Sequence, residues 1–273
     1  MKPKLSVIVV SFQSRTTLEP CLGSVVDADE LILVDNASAD GTVEWVREKF
    51  PEVEVIAFPE NRGFSAAVNA GAARATGDAL LLLNPDAALN PGQVAQMRGR
   101  LEEHASVAAF GFRQLDQSGF FQLAHGGRAK LLDELLRMLA QRALDARWAS
   151  AAWAVDAAFS RPADVPWVAG SCLLVRREFF DRVNGFDEGF FLFFEDIDFC
   201  LRLADVGGRV RYDPTLTVLH HRGVSAAKVP TESERWYRES QRRFWRKHRG
   251  VFVETLVRGY QSLRHFSNRV SAD

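Results

Sequence analysis

Apolar residues in the first half of the chain fall into short unbroken runs separated by stretches of helical spacing. Leu5-Ser6-Val7-Ile8-Val9-Val10, Leu31-Ile32-Leu33-Val34, Val53-Glu54-Val55-Ile56-Ala57 and Ala79-Leu80-Leu81-Leu82-Leu83 each read as a strand. The nearly continuous runs suit strands buried on both faces of a parallel sheet. Between them, residues 14–26 carry a weak helical pattern, 41–50 a helix stopped by Pro51, and 64–76 an Ala-rich helix closed by Gly77. A helix near 91–104 and a strand over 107–112 follow. The alternation predicts an α/β fold, a mostly parallel central sheet flanked by helices and joined by right-handed crossovers. Ligands of such sheets bind beyond the carboxyl ends of the strands. Asp35, Asn36, Asn61, Asn84 and Asp86 all fall just past predicted strands.

Residues 129–160, rich in Ala, Leu and Arg, predict a helical excursion with no evident chemistry, a lid or a spacer. A β-like pattern returns at Val168 and at Cys172–Val175, then a helix over 176–183, a turn at Asn184-Gly185, and short strands at 209–212 and 217–219. Thr231 and Glu234, after Pro230, have capping-box spacing and open a long helix. The predicted organisation is one domain over 1–228 and a C-terminal helical extension over 229–273, with no internal repeat or flexible linker.

Composition narrows the function classes. Of 273 residues 47% are hydrophobic and 25% charged, enough apolar mass to exclude a disordered chain. Lys+Arg of 34 against Asp+Glu of 35 gives a net charge of −1, which argues against a nucleic-acid binder. Cys21, Cys172 and Cys200 lack zinc-ligand spacing and are too few for a disulfide scaffold, so a reducing compartment is expected. No apolar run reaches the roughly 18 residues of a membrane span. Met1-Lys2-Pro3-Lys4 leads straight into a strand rather than a signal peptide, and the expected location is cytoplasmic. Basic residues concentrate at 235–250, interleaved with Trp236, Tyr237, Phe244 and Trp245. That pattern fits an amphipathic helix on an anionic membrane surface or a packed helix with snorkelling Arg stems.

Several polar residues carry candidate chemistry. Asp86 lies one Pro past four leucines, where a carboxylate can hold Mg²⁺ or Mn²⁺ together with substrate phosphates, or close a turn. Asp35 can accept hydrogen bonds from a sugar or a base, or serve a turn. Gly63 after Asn61-Arg62 permits close backbone approach at a helix start, where an anion is favoured; plain packing is the other reading. Neither a dinucleotide fingerprint nor a P-loop is present. Glu195, Asp196 and Asp198 stand among five phenylalanines within ten residues. Carboxyls in such a setting have raised pKa values and can act as general bases; an acidic first helical turn is the structural alternative. His220-His221 offers a metal ligand in suitable company.

In this order the pieces resemble glycosyltransferase family 2, the nucleotide-sugar transferases of the GT-A fold. The matching text is Ser6–Phe12, Val34-Asp35-Asn36-Ala37-Ser38-Ala39-Asp40-Gly41-Thr42, Asn61-Arg62-Gly63-Phe64 with Asn69 and Gly71, Leu83-Asn84-Pro85-Asp86, Gly170-Ser171-Cys172, Gly185-Phe186-Asp187-Glu188, Phe194-Glu195-Asp196-Ile197-Asp198 and His220-His221. It spans about residues 4–225 and looks most like the rhamnosyltransferase-like branch. The resemblance implies nucleotide-sugar binding by Ser11, Phe12, Asp35, Asn36, Asn61, Arg62, Asn84, Gly170 and Ser171. It implies catalysis by Asp196 as base beside Glu195, and a divalent metal, Mg²⁺ or Mn²⁺, at Asp86 and His220. Asn84 replaces the first acid of the family's D-x-D motif, so the metal role rests on Asp86, with the Asn84 carbonyl as a further oxygen. The implied reaction is an inverting transfer of a sugar, with dTDP-rhamnose as candidate donor, to a glycan or lipid-linked acceptor at the inner face of a membrane. A non-catalytic nucleotide-sugar binding module and a sugar nucleotidyltransferase are the alternatives; the latter usually carries a Gly-rich phosphate loop after its first strand, and none follows here.

Overall fold

A computed structural model describes residues 2–127, 131–221 and 229–270. The start of the expected excursion and the domain boundary at 228 lie outside the described residues. In chain order the elements are β1 Leu5–Ser11, α1 Leu18–Gly23, β2 Glu30–Asp35, α2 Thr42–Lys49, β3 Glu54–Ala57, α3 Gly63–Arg74, β4 Ala79–Leu83, β5 Ala87–Leu89, α4 Gln93–Glu103 and β6 Val107–Leu115. Then come β7 Phe121–Gln122, β8 His125–Gly126, α5 Leu131–Asp145, α6 Ala149–Ala158, β9 Ala163–Asp164, β10 Trp167–Val168, β11 Cys172–Arg176, α7 Arg177–Arg182, α8 Glu195–Asp205, β12 Arg209–His220 and α9 Pro230–Val270.

The central sheet has the order β3-β2-β1-β4-β11-β6-β12-β5. β1 pairs in parallel with β2 and β4, and β2 with β3. β11 then enters antiparallel to both β4 and β6, while β12 runs parallel to β6. β1 and β4 are buried at every position, so alternate residues serve two cores. Val7, Val9, Leu81 and Leu83 pack against Val46 of α2 and Met97 of α4. Ile8, Val10, Leu80 and Leu82 pack against Ala67 and Val68 of α3, and that core continues to Phe199 and Leu203 of α8. The small residues of α3 allow close approach: a Cβ on Gly71 would lie 2.6 Å from the Ile8 side chain. The chain runs outward through β1, β2 and β3 and then returns to β4 on the other side of β1. That reversal opens a crevice at the carboxyl ends of β1 and β4.

Two expectations change. The strands expected at 209–212 and 217–219 form one, β12, because its ladder with β6 survives an irregularity between Asp213 and Thr217. The helix expected over 14–26 shrinks to α1, since Ser14 and Thr17 form a turn before it. α9 is broken at Gly250, whose φ of 83° is left-handed. Phe244 and Trp245 of α9 are buried against Phe190 and Phe194. Among the described residues no helix is long and apolar enough to cross a membrane.

Candidate active site

A cavity of about 540 Å³ opens at the carboxyl ends of β1 and β4. Its wall includes Phe12, Asn36 and Asn61, then Asn84, Asp86 and His220, and also Gly170, Ser171, Glu195 and Asp196. These residues come from seven separate parts of the chain, and the fold brings them together.

Asp86 and His220 form the first cluster. β12 pairs antiparallel with β5, setting His220 opposite Ala87, and His220 Nε2 lies 3.3 Å from Asp86 Oδ1. Both residues are buried. Nδ1 of His220 faces two carbonyl oxygens, Gln114 Oε1 at 3.1 Å and Gln122 Oε1 at 3.2 Å. A neutral ring therefore carries its proton at Nδ1 and turns the lone pair of Nε2 toward Asp86. Asn84 Nδ2 is 3.3 Å from the same Nε2. A nitrogen lone pair and a carboxylate oxygen facing each other suit a shared cation. Adjacent ligands held ~2.1 Å from one ion stand about 3 Å apart, so the pair fits a divalent metal. Among the described residues no group of three or more His, Cys, Asp or Glu could hold one, which leaves further positions to substrate oxygens. The ring of His221 turns away to Gln117.

The second cluster begins α8. Phe193 and Phe194 both have left-handed φ, 70° and 65°, uncommon for bulky side chains. This bend aims the first turn of α8 into the cavity, and such backbone strain collects at functional sites. Asp196 is half-buried. Its Oδ2 accepts the backbone N–H of Gly170 at 2.9 Å, and its Oδ1 that of Ile197 at 2.8 Å. Burial raises its pKa, while these bonds and the positive charge of Arg137 pull it back. Glu195 is buried, and its Oε2 has no hydrogen-bond partner. Burial, then the neighbouring Asp196 charge, push its pKa well up. Burial and mutual repulsion therefore disfavour two charges on the pair, and Glu195 is pushed further toward the neutral form than Asp196. Asp198, grouped with them by sequence, points the other way. It receives Arg202 at 2.8 Å, His248 at 2.8 Å and Lys247 at 2.7 Å, fastening α8 to α9.

Gly170 and Ser171, just before β11, link the two clusters. Gly170 binds Asp196, and Ser171 O accepts the Asn84 N–H at 2.9 Å. A Cβ at Gly170 would stand 3.2 Å from that of Asp196.

Ser11, Asp35 and Arg62 are not among the cavity-lining residues. The Asp35 carboxylate is buried and already accepts Ser11 Oγ at 2.7 Å, Ser38 Oγ at 2.6 Å and Ser38 N at 2.8 Å. It fixes the loop bearing Asn36, whose side chain holds Arg62 N and Gly63 O. The Arg62 side chain is exposed and lies over the Phe58 ring. Wall residues that the sequence did not point to include Gln114 and Gln122 behind His220 and Arg137 on α5, while Tyr237 on α9 was legible only as an aromatic within a basic stretch. Isolated glutamines on strands have no signature, and Arg137 sits in a stretch whose pattern only suggested helix. The basic residues of α9 are partly spent on docking, since Arg243 and Lys247 bind Asp187 at 2.8 and 2.6 Å.

The glycosyl transferase family 2 pattern matches residues 6–183, and that of glycosyl transferase family group 2 matches residues 138–270. The N-acetylglucosaminyl-diphospho-decaprenol L-rhamnosyltransferase of Mycobacterium tuberculosis is 30% identical over 249 residues, covering 84% of this chain and 80% of that protein. Rhamnosyltransferase WbbL of Escherichia coli is 42% identical over 80 residues, 29% of this chain. The mannosyltransferase PcManGT of Pyrobaculum calidifontis, solved with GDP-Man and Mn²⁺, superposes with a TM-score of 0.58 at 20% identity. It is matched over 84% of this chain and 60% of its own length. TarS of S. aureus, solved with UDP-GlcNAc, gives a TM-score of 0.58 at 17% identity over 88% of this chain and 65% of that one. With a GT-A fold and a pattern match over more than half its length, this chain belongs to glycosyl transferase family 2, is a glycosyltransferase, and resembles the family's rhamnosyltransferase-like branch.

Proposed function

We propose that the chain transfers a sugar, with rhamnose from dTDP-rhamnose as first candidate, from a nucleoside-diphosphate donor to a hydroxyl of a glycan or lipid-linked acceptor. The relative from M. tuberculosis, named for a diphospho-decaprenol acceptor, supports the lipid-linked arm. One observation carries the reading: Asp86, His220 and Asp196 line the same cavity.

Asp86 and His220 would hold a divalent ion, with the Asn84 side chain beside them. Such an ion would supply neutralisation of the charge growing on the leaving diphosphate. Asp196 accepts the proton of the acceptor hydroxyl as its oxygen bonds to the anomeric carbon. The bond from that carbon to the diphosphate oxygen breaks in the same displacement, its electron pair leaving with the diphosphate. Attack from the face opposite the leaving group inverts the centre, through an oxocarbenium-like transition state of the kind met in glycoside hydrolysis. The raised pKa of Asp196 improves it as a base, and the Gly170 N–H fixes its direction. Phe12, Asn36 and Asn61 lie where the nucleotide binds, with Ser11, Asp35 and Arg62 supporting that loop. The reading places the enzyme on the cytoplasmic face of a membrane.

The test is nucleoside-diphosphate release from dTDP-rhamnose and other nucleotide sugars, with and without Mn²⁺, for the native chain and Asp196→Asn. Retained donor binding with roughly 10²–10⁴-fold slower transfer is expected for the variant. Normal transfer removes Asp196 as base. Donor affinity without diphosphate release in the native chain marks a binding module instead.

A further inference from the structure

α5 is mounted with its apolar stripe outward. A surface helix normally turns that stripe to the core. Here Leu135, Leu136 and Leu139 are 52%, 56% and 51% exposed. The opposite side of the helix supplies Arg137 and Gln141 to the wall of the catalytic cavity, and Glu134 grips the Arg137 guanidinium through both oxygens at 2.7 and 2.8 Å. At helical spacing Arg142 continues the outward stripe, and no acid shares it. Asp133 and Glu134 lie off the stripe, and Asp145 accepts a hydrogen bond from Gln141. The turn after α5 and α6 add Trp148 and Trp153, 65% and 74% exposed. The one acid of α6, Asp156, is turned inward to Arg113 at 2.7 Å.

We propose that the outer surface of the α5–α6 hairpin seats on a phospholipid membrane. The hairpin has the composition that such a surface selects. Leucines bury in the acyl boundary, and tryptophan sits at the membrane–water interface because its ring is apolar and its N–H polar. Arg142 and the acid-free stripe complement anionic headgroups. The position also serves the site. One face of α5 meets lipid while the other lines the cavity, so the reacting centre lies about one helix diameter, ~10 Å, from the bilayer. This deepens the lipid-linked arm of the proposed function. It also moves the membrane contact away from the basic stretch of α9, whose Arg243, Lys247 and His248 are engaged with Asp187 and Asp198.

The experiment is co-sedimentation of the full chain with phosphatidylcholine vesicles, with and without phosphatidylglycerol. Leu139→Glu/Trp153→Glu is the variant, and its thermal transition and circular dichroism confirm folding. Both sites are exposed, so the fold is expected to survive. Native chain is expected to bind both vesicles, more strongly with phosphatidylglycerol, and the double variant to bind at least about tenfold more weakly. Absence of native binding overturns the proposal. So does unchanged binding by the double variant, or loss confined to Phe252→Glu on α9. A solution dimer that the double variant dissociates, with no vesicle binding, assigns the face to a second copy and also overturns it. No transfer step enters this assay. Vesicle binding by a chain that releases no diphosphate would fail the proposed activity alone, and transfer to a soluble acceptor without vesicle binding would fail this inference alone.

Discussion

Replacing Asp198 by Asn separates architecture from chemistry within one turn of α8. The Asp198 carboxylate is fully buried and gathers Arg202, Lys247 and His248. Burial by itself would raise its pKa, but hydrogen bonds from His248, Lys247 and Arg202 hold it at about 2. Against about 3.9 in an unfolded chain, that depression is worth about 2.5 kcal/mol of stability at neutral pH. Asn keeps the shape but leaves the partly buried Arg202 guanidinium and the Lys247 ammonium facing a neutral group, so a loss of about 2–4 kcal/mol is expected. At ~2 °C per kcal/mol for a chain of this size, the melting temperature should fall by about 4–8 °C. The folded pKa lies below the unfolded one, so this stability is complete above the unfolded value and is lost as pH falls through about 2. The gap between native and variant melting temperatures should therefore be steady near neutral pH, narrow below about pH 4 and close toward pH 2. Thermal denaturation followed by circular dichroism across that range is the assay. A shift under about 1 °C at neutral pH, or a gap that persists undiminished in acid, would refute the reasoning.

Three further outcomes follow from the site. Glu195→Gln should keep transfer within roughly tenfold of native, because burial favours the neutral carboxyl, which Gln mimics; a loss as deep as that of Asp196→Asn would mean Glu195 acts as an anion. Asp86→Ala should weaken divalent-ion-dependent donor binding by about tenfold or more, and an unchanged metal titration would remove it from the metal site. Gly63→Ala should destabilise by about 1–3 kcal/mol, since a left-handed φ of 83° and a Cβ 2.6 Å from Phe191 O meet at one position. Equal urea midpoints for that variant and the native chain would show that the loop can yield.

The parallel half of the fold was legible because strands buried on both faces have no polar alternation to interrupt them. The same pattern hides direction: Cys172–Val175 read as a strand, but nothing in four apolar residues says that it runs against β4. β5 has only three residues, directly behind Pro85-Asp86, and it exists because β12 lies beside it. Asp86 and Asp196 could be singled out as acids at element ends. That Asp198 faces α9 could not, since its partners lie about fifty residues downstream and helical spacing alone leaves its side undecided. Asp35 looked like an open carboxylate because Ser11 and Ser38, which occupy it, are unremarkable as letters.

The irregularity in β12 between Asp213 and Thr217 decides which side chain reaches Asp86, because neighbours on a strand point to opposite faces. Remove one residue from that stretch and His221 slides into the seat of His220, so imidazole is replaced by imidazole. Add one and Leu219 arrives, with no atom to offer a cation. The doubled histidine makes the junction forgiving of a slip in one direction and intolerant of it in the other.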